Sequence, residues 1–430
     1  VAVTGSVPTR VRSTWWVLAI CWVTIVADGY DLITFGSVLP DLLAYRPWGL
    51  TPAQAGQLGG LALLGTLVGG VAVGTLTDVL GRRRIMLGCL VWFSVAMPLT
   101  GLAPNPEIFG LLRFVTGLGL GGVVPTAIAL TIEYSPTARR QLRNAVMFSG
   151  YSVGGVLAAV LAIVVLPVGG FRAMFFIGAA PLVLVVPVAY RLLPESVAFL
   201  AARGRMAEAR RYAARYGLEP PEPPSGATAG AWRLDSVRVL FSGRYLRATV
   251  LFWLISVIGL LLVYGLNTWL PELMRRSGYS MGSSLAFLLV FNAGAVVGVI
   301  GAGALADRVG ERTVICGSFL VAAVSVLVFA LRPATAPLLV AAAAAGFGAN
   351  TQTLVNAFVG GYYPASARAT ALGWEFAVGR IGAILGPVYG GVIVTAVATG
   401  ALAPSWNHYA FALPALLAAG LVLLVPREVR

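Results

Sequence analysis

The sequence predicts an all-α membrane protein: twelve transmembrane helices in two parallel-repeat six-helix bundles. Three observations predict it. They are twelve apolar runs of spanning length, a one-sided distribution of arginine, and a repeat at a constant offset of 229 residues.

Of the 430 residues, 58% are hydrophobic and only 11% are charged, and the mean hydropathy is +0.87. Soluble domains carry about 25% charge, so this chain needs lipid as its solvent. A spanning helix takes about 20 mostly apolar residues. Such runs fall at Trp15–Val38, Pro52–Thr77, Ile85–Leu102, Pro106–Ile132, Asn144–Val168 and Phe171–Tyr190. A second set falls at Ala248–Leu270, Ser284–Leu305, Val314–Leu331, Ala336–Gly360, Ala369–Val397 and Tyr409–Val425. The first run, from Trp15, is long enough to span, which argues against a cleaved leader. One long polar stretch, Arg191–Arg247, separates the sets. Within it Ser196–Leu218 has helical spacing and a dense basic face, and Pro220-Pro221-Glu222-Pro223-Pro224 breaks the pattern. The expected organisation is therefore an N-terminal six-helix bundle (1–190), a cytoplasmic linker with a surface helix (191–247) and a C-terminal six-helix bundle (248–430).

Arginine placement sets the orientation. Cytoplasmic loops concentrate positive charge. With the N-terminus inside, inner segments hold 23 arginines and outer loops five (Arg46, Arg172, Arg275, Arg276 and Arg332); Arg113 and Arg380 lie within spans. Both termini are therefore expected in the cytoplasm. The same distribution accounts for the net charge of +14 without invoking nucleic acid.

At the 229-residue offset, Gly65 matches Gly294, Gly69 matches Gly298, Asp78 matches Asp307, Gly117 matches Gly346, Tyr134 matches Tyr363 and Arg139 matches Arg368. An even number of spans per half makes the repeats parallel. Two parallel six-helix bundles around a midplane site is the plan of alternating-access transporters.

Composition excludes several chemistries. All 30 basic residues are arginine, so there is neither a P-loop lysine nor a Schiff-base lysine. Cys21, Cys89 and Cys316 sit in apolar runs and read as small buried hydrophobes. A single histidine, His408, cannot build a histidine metal cluster. No cofactor, metal or catalytic residue is expected. Gly117-Leu118-Gly119-Leu120-Gly121-Gly122 and Gly150-Tyr151-Ser152-Val153-Gly154 imitate enzyme motifs but lie inside spans. They read as close helix packing.

Gly74-Thr75-Leu76-Thr77-Asp78-Val79-Leu80-Gly81-Arg82-Arg83-Arg84 follows the second span. Gly303-Ala304-Leu305-Ala306-Asp307-Arg308-Val309-Gly310-Glu311-Arg312 follows the eighth. Here the chain resembles the major facilitator superfamily over essentially its whole length. The second copy departs at Glu311 and Thr313, where basic residues are usual. The expected role is a cytoplasmic gate built from Asp78, Arg82, Glu133, Arg139 and Asp307, with Glu133 as the acid that meets the arginines.

Charges inside spans are costly and functional by default. Asp28 and Asp31 share a face of the first span. Arg113 lies in the fourth, and Arg380 lies in the eleventh with Glu375 one and a half turns earlier. These charges do not repeat: Arg380 corresponds to Tyr151, Arg113 to Ala342, Asp28 to Val257 and Asp31 to Leu260. At a rise of about 1.5 Å per residue, Asp28 falls level with Arg113. That height predicts Asp28 as the ion-pair partner and Asp31 as the main proton site.

The resemblance then narrows. Asp28-Gly29-Tyr30-Asp31 with Gly36 and Pro40 is similar to the first-helix signature of the aromatic acid:proton symporter family. So are Arg113-Phe114-Val115-Thr116-Gly117 through Gly122 with Pro125, and Tyr363-Pro364 through Gly373-Trp374 to Gly379-Arg380-Ile381-Gly382-Ala383. Ala371 stands where that family commonly has Gly. The resemblance implies inward transport of a benzoate-type carboxylate with protons, in a bacterial inner membrane and as a monomer.

The residues themselves agree. Arg380 can grip a carboxylate through two parallel hydrogen bonds. Trp374, Tyr30, Phe148, Tyr151 and Tyr264 offer ring faces, and Gln352, Asn292 and Asn356 could read ring hydroxyls. Alternatives on the same scaffold are a sugar-acid or other organic-anion proton symporter and a multidrug proton antiporter. Pro194-Glu195-Ser196 with Gly204-Arg205 resembles the sugar branch, whereas an arginine clamp fits an antiporter of drugs poorly. A membrane receptor without transport is the outsider.

Overall fold

The computed structural model describes residues 14–136, 139–219, 234–331 and 334–426. The Asp78 side chain and the Pro220–Pro224 break lie outside what is described. The first bundle comprises α1 (Trp15–Ala44), α2 (Pro52–Leu80), α3 (Arg82–Gly101), α4 (Pro106–Leu120) with α5 (Val123–Glu133), and α6 (Arg140–Ile177) with α7 (Ala180–Leu184) and α8 (Val186–Leu192). The linker holds α9 (Val197–Ala202), α10 (Met206–Tyr216) and α11 (Leu234–Leu240). The second bundle comprises α12 (Leu246–Arg276), α13 (Met281–Val309), α14 (Glu311–Leu331), α15 (Thr335–Ala349) with α16 (Gln352–Tyr362), α17 (Ala365–Ala398) and α18 (Trp406–Leu424).

Eleven of the expected spans are long and apolar enough to cross a membrane. The sixth is interrupted. α6 turns at Gly170, whose φ of 61° is open to glycine, and the rest of the span proceeds through Ile177 into α7 and α8. Pro181 and Pro187 stand at the second position of these two short helices. A proline there starts a helix at no cost but cannot continue one. The fourth and tenth spans also break, at Gly121-Gly122 and at Asn350-Thr351. These positions are equivalent under the 229-residue repeat.

The repeated glycines are contact points. A Cβ on Gly117 would stand 2.1 Å from the Ala62 carbonyl oxygen, and one on Gly346 would stand 1.8 Å from that of Phe291. So α2 meets α4, and α13 meets α15, at backbone distance. The two loop motifs turn at Gly81 (φ 92°) and Gly310 (φ 87°), where a side chain would be strained.

Among the described residues the bundles join chiefly through α1 with α12, α2 with α17 and α6 with α13. The face carrying the two loop motifs and α9–α11 is here called the linker face. On the far-face half the bundles touch. A Cβ on Gly36 would meet the Asn267 carbonyl at 2.0 Å, and one on Gly56 would meet that of Pro387 at 2.6 Å. Ala53 N–H also donates to Thr395 Oγ1 at 3.0 Å. Toward the linker face Gly74, Gly303 and Gly373 have no atom within 4 Å of where a Cβ would stand. The seam is closed on the far face and open toward the linker face.

Candidate functional site

Between α1 and α4 lies a buried ion pair. Arg113 Nη1 meets Asp31 Oδ1 at 2.7 Å, with both side chains 1% exposed. The rings of Phe35 and Phe175 flank the guanidinium at 5.8 and 6.0 Å. The expected pairing is thus corrected: Arg113 holds Asp31, not Asp28. Height along the axis did not decide it. Three residues on a helix also differ by about 60° in azimuth, and a long arginine side chain absorbs a turn of height but not a wrong direction.

Asp28 points elsewhere. It is 3% exposed and has neither an ion pair nor a hydrogen bond among the described residues. Arg380 of α17 and Asp31 lie within its electrostatic reach. Arg380 is half-buried and also has no ion pair among the described residues. Tyr151 of α6 packs its backbone against Gly29 of α1 and has Asp28 and Arg380 within its electrostatic reach. Its ring meets that of Tyr264 of α12 edge-on, with centroids 6.3 Å apart. Four helices from both bundles therefore contribute one cluster: Asp28, Tyr151, Tyr264 and Arg380. Tyr151 and Arg380, equivalent in the repeat, come within electrostatic reach of each other across the seam.

Other expected ring and polar contacts divide. Phe148 is half-buried and packs against the N-terminal core beside Tyr151. Tyr30 is committed within its own bundle, donating to the Met174 carbonyl at 2.8 Å. Trp374 does not join the cluster. It stacks on Trp253 at 5.7 Å and meets Phe241 edge-on, because six residues place it about 120° round the helix from Arg380. Asn292 is buried at the α6–α13 seam, where it donates to Asn267 Oδ1 at 2.9 Å. Asn267 was not singled out from the sequence. Gln352 and Asn356 are half-buried and turn to Glu375: Gln352 Nε2 lies 2.5 Å from Glu375 Oε1 and 3.0 Å from Asn356.

On the linker face, Arg82 Nη1 meets Glu133 Oε2 at 2.6 Å. Glu133 also accepts from Ser196 Oγ at 2.7 Å and from Ala198 N–H at 2.8 Å. Glu195 Oε1 accepts from Arg83 N–H at 3.1 Å, and Tyr134 donates to the Glu195 carbonyl at 2.6 Å. Arg139 and Asp307 are exposed and stand apart from this network. Arg143 takes a place there instead: it donates to Thr14 Oγ1 at 2.9 Å and covers the Trp15 ring at 4.7 Å. Glu195 and Ser196 carried only a family resemblance in the sequence. Their structural role is to dock the linker: Ser196 on the Glu133 carboxylate, and Glu195 on the Arg83 N–H and the Tyr134 hydroxyl. Among the described residues, no group of three or more metal-ligating side chains occurs.

The profile of the Major Facilitator Superfamily matches residues 21–304 and 288–430. The benzoate transport protein of Acinetobacter baylyi is 32% identical over 422 residues, 96% of this chain and 89% of that protein. The gentisate transporter of Corynebacterium glutamicum is 37% identical over 379 residues, 87% of this chain and 80% of that one. The gallate transporter of Pseudomonas putida is 33% identical over 392 residues, 89% and 86% of the two chains. A crystal structure of a D-xylose-proton symporter shares the fold, with a TM-score of 0.76 over 97% of this chain and 99% of that one at 16% identity.

Proposed function

Because the chain belongs to the major facilitator superfamily, and within it to the aromatic acid:proton symporters, we propose that it imports a benzoate- or hydroxybenzoate-class carboxylate together with protons. Its setting is a bacterial inner membrane with both termini, and so the linker face, in the cytoplasm. One observation carries the reading. Arg380 is a cation within a membrane-spanning helix, unpaired among the described residues, with Tyr151 and the buried Asp28 within its electrostatic reach.

The chemistry follows from charge. A planar guanidinium presents two parallel N–H groups to a carboxylate. Tyr151 and Tyr264 supply ring edges and faces for an aromatic body. The empty site, holding Arg380 and Asp28, is neutral in sum. An entering anion makes it negative, and one proton on Asp28 restores neutrality, so anion and proton travel together. Asp31 is unsuited to the shuttle because Arg113 already compensates it at 2.7 Å. Importing an anion against an inside-negative potential costs about 2.3 kcal/mol per 100 mV, and one co-transported proton removes that cost. The Arg82–Glu133–Ser196 network is the gate on the cytoplasmic side, released and remade as the bundles rock.

The test is uptake of labelled benzoate, 4-hydroxybenzoate and gentisate into proteoliposomes, with and without a protonophore. Wild type concentrates at least one of them, and the protonophore abolishes accumulation. Asp28→Asn keeps downhill exchange and accumulates the acid to a lower level than wild type. Accumulation by Asp28→Asn at the wild-type level would remove Asp28 as the carrier. Failure to move any aromatic acid would overturn the substrate class.

A further inference from the structure

Glu375 has no part in the cluster above, and its surroundings are unusual for a carboxylate. It lies in α17, 1% exposed. Five residues separate it from Arg380, about 140° round the helix, so it faces into the C-terminal bundle. There its partners are all neutral. Ser256 Oγ of α12 makes a short hydrogen bond to Oε1. Gln352 Nε2 of α16 lies 2.5 Å from the same atom and donates to Ser256 Oγ at 3.2 Å. The Asn356 amide stands 3.0 Å from Oε2.

No cation faces this carboxyl among the described residues. On α12 the charged side chains are Arg247, Glu272, Arg275 and Arg276, all at its ends. On α16 the only ionisable group is Tyr362, and His408 on α18 lies at the far-face end of the bundle. Arg238 on α11 is exposed. Arg368 on α17 is exposed near the helix start. A buried carboxylate without a cation is costly, and a neutral carboxyl is not. The Asn356 amide can serve either form, its carbonyl accepting from a neutral carboxyl and its NH2 donating to an ionised one. Gln352 and Asn356 are themselves half-buried and link the site to the side where the seam is open.

We infer that Glu375 is a second proton-binding site, loaded and emptied in each cycle on the helix that carries Arg380. The inference rests on the symport reading and adds a stoichiometry to it. Two protons with one monovalent anion move one net positive charge inward. Membrane potential alone then drives uptake, whereas one proton per anion would make the cycle electroneutral.

The experiment separates the two. Proteoliposomes receive an inside-negative potential of about 100 mV without a pH gradient, then a pH gradient without a potential. Wild type accumulates the acid about 50-fold on the potential alone, the equivalent of one net charge at about 2.3 kcal/mol. Glu375→Gln, isosteric with the neutral carboxyl, loses that response and still accumulates on the pH gradient through Asp28. Potential-driven accumulation in Glu375→Gln overturns the inference. So does a wild type that answers the pH gradient but not the potential, which leaves the one-proton reading intact. No response to either gradient overturns the symport reading itself. If Glu375→Gln fails to reach the membrane, Asn356→Leu carries the test. Losing a donor to the ionised form holds the proton more tightly, so internal acidification stops potential-driven uptake at a higher internal pH than in wild type. An unchanged internal-pH profile overturns the inference.

Discussion

In the N-terminal bundle the buried cation and acid are joined: Arg113 and Asp31 meet at 2.7 Å with both side chains 1% exposed. In the C-terminal bundle they are kept apart. Arg380 faces the seam, and Glu375 faces neutral partners on the far side of the same helix. The backbones of the halves repeat, down to the glycine contacts and the breaks at 121–122 and 350–351. The charges do not. The difference supports the proposed division of labour, in which the cation that has its acid in the same bundle is a fixed part of that bundle and the other is left for the transported anion.

The comparison breaks most severely at the ion pair. Arg113→Ala leaves Asp31 buried without compensation and should cost about 3–5 kcal/mol of stability. Joint replacement, Arg113→Met with Asp31→Leu, removes both charges and should recover most of the loss. Thermal unfolding of purified protein checks this. A double variant no more stable than Arg113→Ala would mean that the pair does more than cancel itself.

Arg380→Lys is the counterpart in the other bundle. Charge is kept and the planar fork is lost. Transport should fall by about 10- to 100-fold, the equivalent of a charge-assisted hydrogen bond at about 1.5–3 kcal/mol, with unfolding temperature little changed. Uptake near wild type would place the substrate carboxylate elsewhere. Together the two variants test whether one arginine serves stability and the other transport.

Much of this was legible in the sequence. The spans, the repeat and the need of Arg113 for a partner follow from hydropathy, glycine spacing and the cost of a buried charge. The identity of the partner does not, because Asp28 and Asp31 differ by less than a turn of height and by about 60° of azimuth. Azimuth is the reason for Trp374 too: an aromatic near Arg380 in sequence faces another side of α17, against Trp253 and Phe241. Asn267 carried no signal before Asn292 was seen beside it. The docking of Ser196 on Glu133, and of Glu195 on Arg83 and Tyr134, depends on how the linker folds back, which no local pattern encodes.

The linker-face ends of the halves differ as the sites do. The proposed gate of the N-terminal half is polar: Glu133 accepts from Arg82, Ser196 and Ala198. Residue 362, the equivalent of Glu133, is tyrosine, and it sits among Tyr245, Phe252, Phe358 and Tyr363. Asp78→Asn in the first loop motif is expected to lower the maximal transport rate, while substrate affinity of purified protein stays within several-fold. Lost binding with an intact conformational cycle would contradict a gating role.

The smallest expected effect lies in this aromatic cluster. Tyr363 is buried, and its hydroxyl lies 2.6 Å from Thr249 Oγ1, which also bonds the Leu240 carbonyl at 2.9 Å. That chain ties α16, α12 and the end of α11 together. Tyr363→Phe removes one neutral hydrogen bond and leaves the ring contacts in place. Because Thr249 keeps its carbonyl partners at Leu240 and Tyr245, no buried donor is orphaned. The loss should be about 1 kcal/mol or less. Glu133→Gln, by contrast, removes a charge-assisted bond from a network exposed at its rim, and should slow transport more than it lowers stability. Uptake rate and unfolding temperature measured on both variants set the contrast. If Tyr363→Phe slows transport as much as Glu133→Gln does, the aromatic cluster moves with the polar network, and the contrast drawn between the two ends fails on the linker face.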